Sequence, residues 1–158
     1  MGNTYKKDFE VRYYEIDKFQ KATLLTLLNF LEEAAICHSE AAGFGVSRLL
    51  EMGRGWVLNR WLLEIDDYPR LGDTVTVETW PSFIEKFYSI REFSVWDRSG
   101  RDIVKARSLW IFLDINKRRP VRIPSDFPEA YGFNDKKALE RDFSDFEHVE
   151  KFDFSAGF

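Results

Sequence analysis

The sequence predicts an α+β fold in which one long helix is wrapped by a curved antiparallel β-sheet. Three observations lead there. The segment from about Ala22 to Ala42 repeats its apolar residues at helical spacing. From Gly55 to Ile123 the chain reads as strands and turns. No second long helix interrupts those strands. A lone amphipathic helix cannot bury its stripe, and a one-sided sheet cannot bury its apolar face, so the economical solution folds one around the other.

The elements follow in order. Residues 9 to 16 alternate at Phe9, Val11 and Tyr13 and read as a strand. After polar Asp17 to Lys21, the helix carries Leu24, Leu27, Leu28, Leu31 and Ala35 on one stripe, with Glu32, Glu33 and Glu40 off it. Gly43 and Gly45 stop it, and Ser47 is placed to cap a short second helix through Leu49, Leu50 and Met52. Gly55 to Ile65 is the next strand. Its alternation sets Trp56, Leu58 and Arg60 on one face and Val57, Asn59 and Trp61 on the other. Tyr68 to Asp73 is a turn, and Asp73 to Trp80 a strand with Val75 and Val77 opposite Thr76 and Glu78. Lys86 to Asp97 and Asp102 to Ile115 are strands joined by the Asp97-Arg98-Ser99-Gly100 turn. Asn116 to Arg119 turns into a short strand, Pro120 to Ile123, and Pro124 and Pro128 are expected to end regular structure. This is the hotdog layout over residues 1–128. Residues 129–158 read as a charged linker, with Lys151 to Phe158 resembling the opening of a further strand.

Composition narrows the function. With 44% hydrophobic and 16% aromatic residues in 158, one core forms without disulfides or metal. The net charge of −4 is spread evenly except at Lys117-Arg118-Arg119, so there is no basic stripe for nucleic acid. Cys37 is the single cysteine, which fits a reducing, cytoplasmic setting. The polar Met1 to Lys7 has no export signal's apolar region, and no stretch is long enough to span a membrane. Two distant histidines and one cysteine do not make a zinc site.

Four segments then carry a resemblance. Ala22-Thr23, Asn29, Glu33-Ala34-Ala35, His38 and Gly43 form the first, and Trp56 to Arg60 the second. The third and most specific is Tyr68-Pro69-Arg70-Leu71-Gly72-Asp73-Thr74-Val75-Thr76-Val77-Glu78-Thr79-Trp80. The fourth is Ala106 to Ile111 with Arg118-Arg119-Pro120 and Ile123-Pro124. In this order, over about residues 10 to 125, they resemble the first hotdog domain of plant-type and bacterial acyl-acyl-carrier-protein thioesterases. The resemblance implies hydrolysis of fatty acyl thioesters held on acyl-carrier protein, without a cofactor. It also implies a tandem second domain carrying an Asn-x-His motif that is not found here.

Such hydrolysis needs a carboxylate base and an amide to hold the oxyanion. Asp17 is the first candidate, because Arg12 to Asp17 resembles the acidic entry loop of single-domain hotdog thioesterases. The alternative is a solvated loop carboxylate. Asn29 and Glu33 lie one helical turn apart and either share a site or meet solvent. Cys37 and His38 are neighbours in sequence, yet adjacent helical residues point about 100° apart and do not face each other. The resemblance implies an acyl chain between helix and sheet, near Leu28, Trp56, Leu58, Arg60 and Trp110. Each buried methylene would contribute about 0.8 kcal/mol. Lys117, Arg118 and Arg119 would suit an acidic carrier protein, or simply form a solvated turn. A lone hotdog unit leaves an open sheet edge and apolar helix surface, which predicts a homodimer with the sheets side by side.

Overall fold

The computed structural model describes residues 4–145. Strand β1 (Tyr5–Glu10) leads through a 3-10 turn at Tyr13–Glu15 to helix α1 (Leu24–Ala41) and the short helix α2 (Val46–Glu51). Strands β2 (Arg54–Ile65), β3 (Thr74–Glu85), β4 (Tyr88–Trp96), β5 (Asp102–Asp114) and β6 (Arg119–Pro120) follow, then helix α3 (Phe127–Tyr131). The main sheet runs β1-β3-β4-β5-β2, and every pairing is antiparallel. With α1 against its concave face, this is the expected hotdog arrangement.

Helix α1 starts where Thr23 takes extended backbone and its Oγ1 accepts from the Thr26 N–H at 3.1 Å. Such a cap is worth about 1 kcal/mol. The helix ends at Gly43, whose φ of 88° is the left-handed geometry that glycine adopts without strain. Its buried stripe is Leu27, Phe30, Leu31, Ala34, Ala35 and His38, packed on Val75, Val77, Phe93, Val95, Val104 and Ala106. The expected stripe was rotated: Leu24 is exposed and Leu28 half-buried. A second core gathers Leu49, Phe112, Ile123, Phe127 and Tyr131 under α2 and α3.

Several boundaries differ from expectation. The first strand is Tyr5–Glu10, because the chain turns at Tyr13 and Tyr14, whose rings are exposed. Gly45, not Ser47, occupies the cap position of α2. Strand β3 continues through Pro81, where an irregularity between Pro81 and Phe83 accommodates the missing N–H. Pro128 stands in the first turn of α3 instead of ending structure, since a proline there removes a donor that has no helical partner.

In β2 the register slips between Leu58 and Arg60. The extra residue, Asn59, shifts the alternation by one, so that Trp56 and Leu58 share the concave face with Trp61 and Leu63. Arg60 is thereby turned outward and is exposed, contrary to strict alternation.

The boundary expected at residue 128 falls inside α3, and residues 136–142 cover part of the convex face of the sheet. Trp80 Nε1 donates to the Lys136 carbonyl at 2.7 Å, and Leu139 is buried. Glu92 and Arg107, paired across β4 and β5, are both buried there. Arg107 Nε lies 2.8 Å from Glu92 Oε1, which also accepts from the Ala138 N–H at 2.9 Å. Arg107 Nη1 reaches Asp142 at 3.2 Å. His148 and the strand opening expected at residues 151–158 lie outside the described residues. Among the described residues, no helix is long and apolar enough to cross a membrane.

Candidate functional site

Between the C-terminal half of α1 and the sheet lies a cavity of about 420 Å³. Ala35, Ile36 and Ser39 face it from α1, while Trp56, Leu58 and Trp110 face it from β2 and β5. The slip at Asn59 is what keeps Trp56 and Leu58 in phase with this wall. Phe127 and Tyr131 of α3 close one side. Their rings are braced by Phe44 at 4.1 Å from Phe127 and by Phe112 at 5.4 Å. Such a concave, mostly apolar site with a few polar groups is the usual form of a small-molecule pocket.

The cavity has a greasy mouth and a buried floor that mixes Ala35, Leu49 and Phe127 with three polar residues. Ile36, Val46, Leu50 and Ile115 line it and are exposed, so they form the rim. Ser89, Arg91 and Tyr131 line it and are buried. Arg91 Nη1 lies 2.9 Å from His38 Nδ1 and donates to Thr79 Oγ1 at 3.1 Å. The Tyr131 hydroxyl donates to Ser39 Oγ at 3.1 Å. Burial holds the His38 imidazole down at about 4, with the Arg91 charge adding to the effect. His38 is therefore neutral at pH 7. It accepts from Arg91 at Nδ1, and its other nitrogen is left to donate to the backbone of Tyr131. Burial also pulls Arg91 down, to about 10, which leaves it charged at neutral pH.

Of the residues expected at an acyl site, Trp56, Leu58 and Trp110 line the cavity, whereas Leu28 and Arg60 do not. Asp17, Asn29 and Glu33 do not line it either. Asp17 is exposed, and its Oδ1 accepts from the N–H groups of Phe19 at 2.8 Å and Lys21 at 3.1 Å, so it organises its own loop. Asn29 and Glu33 are exposed on the outer face of α1. Glu33 accepts from Cys37 Sγ at 3.4 Å. Burial and this carboxylate both push the Cys37 thiol up from its ordinary value, which disfavours a nucleophilic thiolate. Lys117, Arg118 and Arg119 are exposed on the turn that follows the rim residue Ile115. Among the described residues, no three His, Cys, Asp or Glu side chains are grouped to hold a metal.

The floor escaped the sequence reading. Its signal was parity: Arg91 has the same alternation as Phe93 and Val95, so a cation stands on the apolar face of β4.

Comparison with known proteins gives the lineage. Residues 2–131 match the family described as the acyl-ACP thioesterase N-terminal domain. The chloroplastic palmitoyl-acyl carrier protein thioesterase of Arabidopsis thaliana is 32% identical over 151 residues, which cover 89% of this chain and 37% of that protein. An acyl-ACP thioesterase from Bacteroides thetaiotaomicron superposes with a TM-score of 0.72 at 30% identity, covering 76% of this chain and 49% of that one. The 12:0-ACP thioesterase of Umbellularia californica gives a TM-score of 0.79 at 25% identity, covering 97% of this chain and 62% of that one. The chain spans less than two thirds of the length of each of these relatives. On the match across residues 2–131, the chain belongs to the acyl-ACP thioesterase family, through its N-terminal domain.

Proposed function

We propose that this chain is the acyl-binding half of a thioester hydrolase acting on fatty acyl-acyl-carrier protein in fatty acid biosynthesis. The observation that carries the reading is the 420 Å³ cavity between α1 and the sheet in a member of this family. Its walls are apolar and aromatic, as an aliphatic chain requires, and each methylene seated there contributes about 0.8 kcal/mol. The reading of an acyl-binding half is supported by the share of the Arabidopsis relative that is spanned, 37%. It is also supported by the position of Asp17, Asn29 and Glu33 outside the cavity lining.

Hydrolysis of acyl-carrier-protein and coenzyme A thioesters, assayed side by side, tests the chemistry. Asp17→Ala is expected to leave any activity within about twofold, because its carboxylate is already engaged by two backbone donors. A loss of activity with acyl affinity intact would make Asp17 catalytic and overturn the binding-half reading. Asn29 and Glu33 are tested in the same assay.

The basic turn enters as the contact for the carrier protein, since it adjoins the cavity rim at Ile115. Reversing Arg118 and Arg119 to Glu is expected to weaken acyl-carrier-protein binding about tenfold at low salt. Binding of the free fatty acid should not change. Equal weakening of both ligands would mean that the turn supports the fold and not the partner.

The reading includes a homodimer. Exposed Tyr13, Tyr14, Phe19, Leu24 and Leu25, together with the open β2 edge, support it. Light scattering is expected to give the mass of two chains at micromolar concentration, and the mass of one would remove this part. A cytoplasmic location rests on the single cysteine, while the Arabidopsis relative is named as chloroplastic. Cell fractionation decides it.

A further inference from the structure

The two arginines buried in this sheet are treated very differently. On the convex face Arg107 meets the carboxylates of Glu92 and Asp142. On the concave face Arg91, 7% exposed, has no ion pair among the described residues. Its Nη1 is engaged by His38 and Thr79, while its Nε and Nη2 donate to no described residue. A guanidinium has five N–H donors in a planar fork that matches a carboxylate. These free nitrogens reach open cavity space, because Ser82 Oγ is the one described buried side-chain atom left without a hydrogen-bond partner, and beyond the Tyr131 ring at 5.8 Å the guanidinium lacks a charged partner. Neither of the other charged residues of the lining supplies one. Arg54 is paired with Asp114 at 3.2 Å, and Glu32 makes no ion pair.

The position of Arg91 suits a ligand of a particular shape. The residue lies on the floor of the cavity, below the exposed rim of Ile36, Val46, Leu50 and Ile115. Ser89 and Tyr131 line the same floor. A ligand that fills this space has an aliphatic body along the walls and an acceptor set against Arg91. His38 cannot be that acceptor's rival for the free nitrogens, because it already accepts from Nη1.

We propose that the cavity selects aliphatic chains whose buried end carries a carboxylate, with Arg91 as the residue that recognises it. The inference rests on the acyl-site reading above and narrows its substrate class. The carboxylate has two possible sources: a free fatty acid bound headgroup inward, or the far end of a dicarboxylic acid linked through its other end as a thioester.

The test is isothermal titration of the full chain with decanoate and with methyl decanoate, which share a chain and differ in charge. Decanoate is expected to bind at least about tenfold tighter, as a charge-assisted bond predicts. In Arg91→Met this preference should vanish, while methyl decanoate binds as well as before or better. Equal affinities in the unaltered chain overturn this inference and leave the acyl-site reading standing. Binding of neither probe overturns both. The ligand comparison needs no variant, so it remains decisive if Arg91→Met fails to fold. Decanoyl-pantetheine and its ω-carboxy counterpart separate the sources. Tighter binding of the ω-carboxy thioester assigns the floor to dicarboxylic chains, and equal binding of the two, with the decanoate preference intact, assigns it to the free acid.

Discussion

Replacing Arg107 with methionine is expected to destabilise the protein by about 3–5 kcal/mol, the usual effect of breaking a buried ion pair from one side. Glu92 is 0% exposed and Arg107 is 2% exposed. Burial pushes the Glu92 carboxyl up from its ordinary value, while the Ala138 N–H and Arg107 pull it back toward the ionised form. Without Arg107 the carboxylate keeps one backbone donor and must either stay charged in an apolar setting or take up a proton. Urea denaturation at pH 7 measures the loss. The double variant Glu92→Met, Arg107→Met should recover most of it, because an apolar pair of similar volume replaces a buried ion pair at little cost. An Arg107→Met protein as stable as the parent would mean that water reaches Glu92 and that the cover over the convex face is loose.

The second large effect is on pH dependence. His38 has an ordinary value of 6.5 and is held at about 4 in the folded protein, chiefly by burial. Between those values the unfolded chain binds a proton that the folded chain refuses. Stability from this group is therefore complete above about pH 6.5, falls as the pH drops toward about 4, and changes no further below that. The total is roughly 3 kcal/mol by linkage. His38→Asn should flatten that interval, since an amide can accept from Arg91 and donate to the Tyr131 backbone without titrating. Denaturation midpoints of parent and variant at pH 7, 5.5 and 4.5 give the answer. Asp97 and Asp114, held low by hydrogen bonds from neighbouring groups, lose their contributions only as the pH falls below their ordinary 3.8, so they do not mask it. Parallel curves for the two proteins would show that His38 is open to protons in the fold.

The regular parts of this fold were legible because period and punctuation agree. Val75 and Val77 alternate with polar neighbours, Asp97 to Gly100 turns the chain, and Gly43 ends the helix. What escaped depends on partners distant in the sequence. The slip at Asn59 has no local signature, since it is decided by pairing with Ser108 to Trp110 on β5. Once there, it inverts the facing of Arg60 and Trp61. The stripe of α1 was displaced because six of its first eight residues are apolar, and spacing alone could not say which side met the sheet. Pro128 was ambiguous between ending one segment and starting another. At the site, the aromatic walls were readable as apolar strand positions. Arg91 was not, because its meaning comes from where it is buried and from the carboxylates it lacks.

The irregularity at Asn59 has a consequence beyond the cavity. Strand β2 is outermost in the sheet, so its open side presents backbone donors and acceptors to whatever lies beside it. Those groups keep step from Arg54 to Leu58 and again from Arg60 to Ile65, but not across the break. A straight strand laid alongside would match one stretch and fall out of phase with the other. The same defect that shapes the binding wall therefore guards against runaway fibrillar stacking, and limits any edge-on association to a short, finite seam.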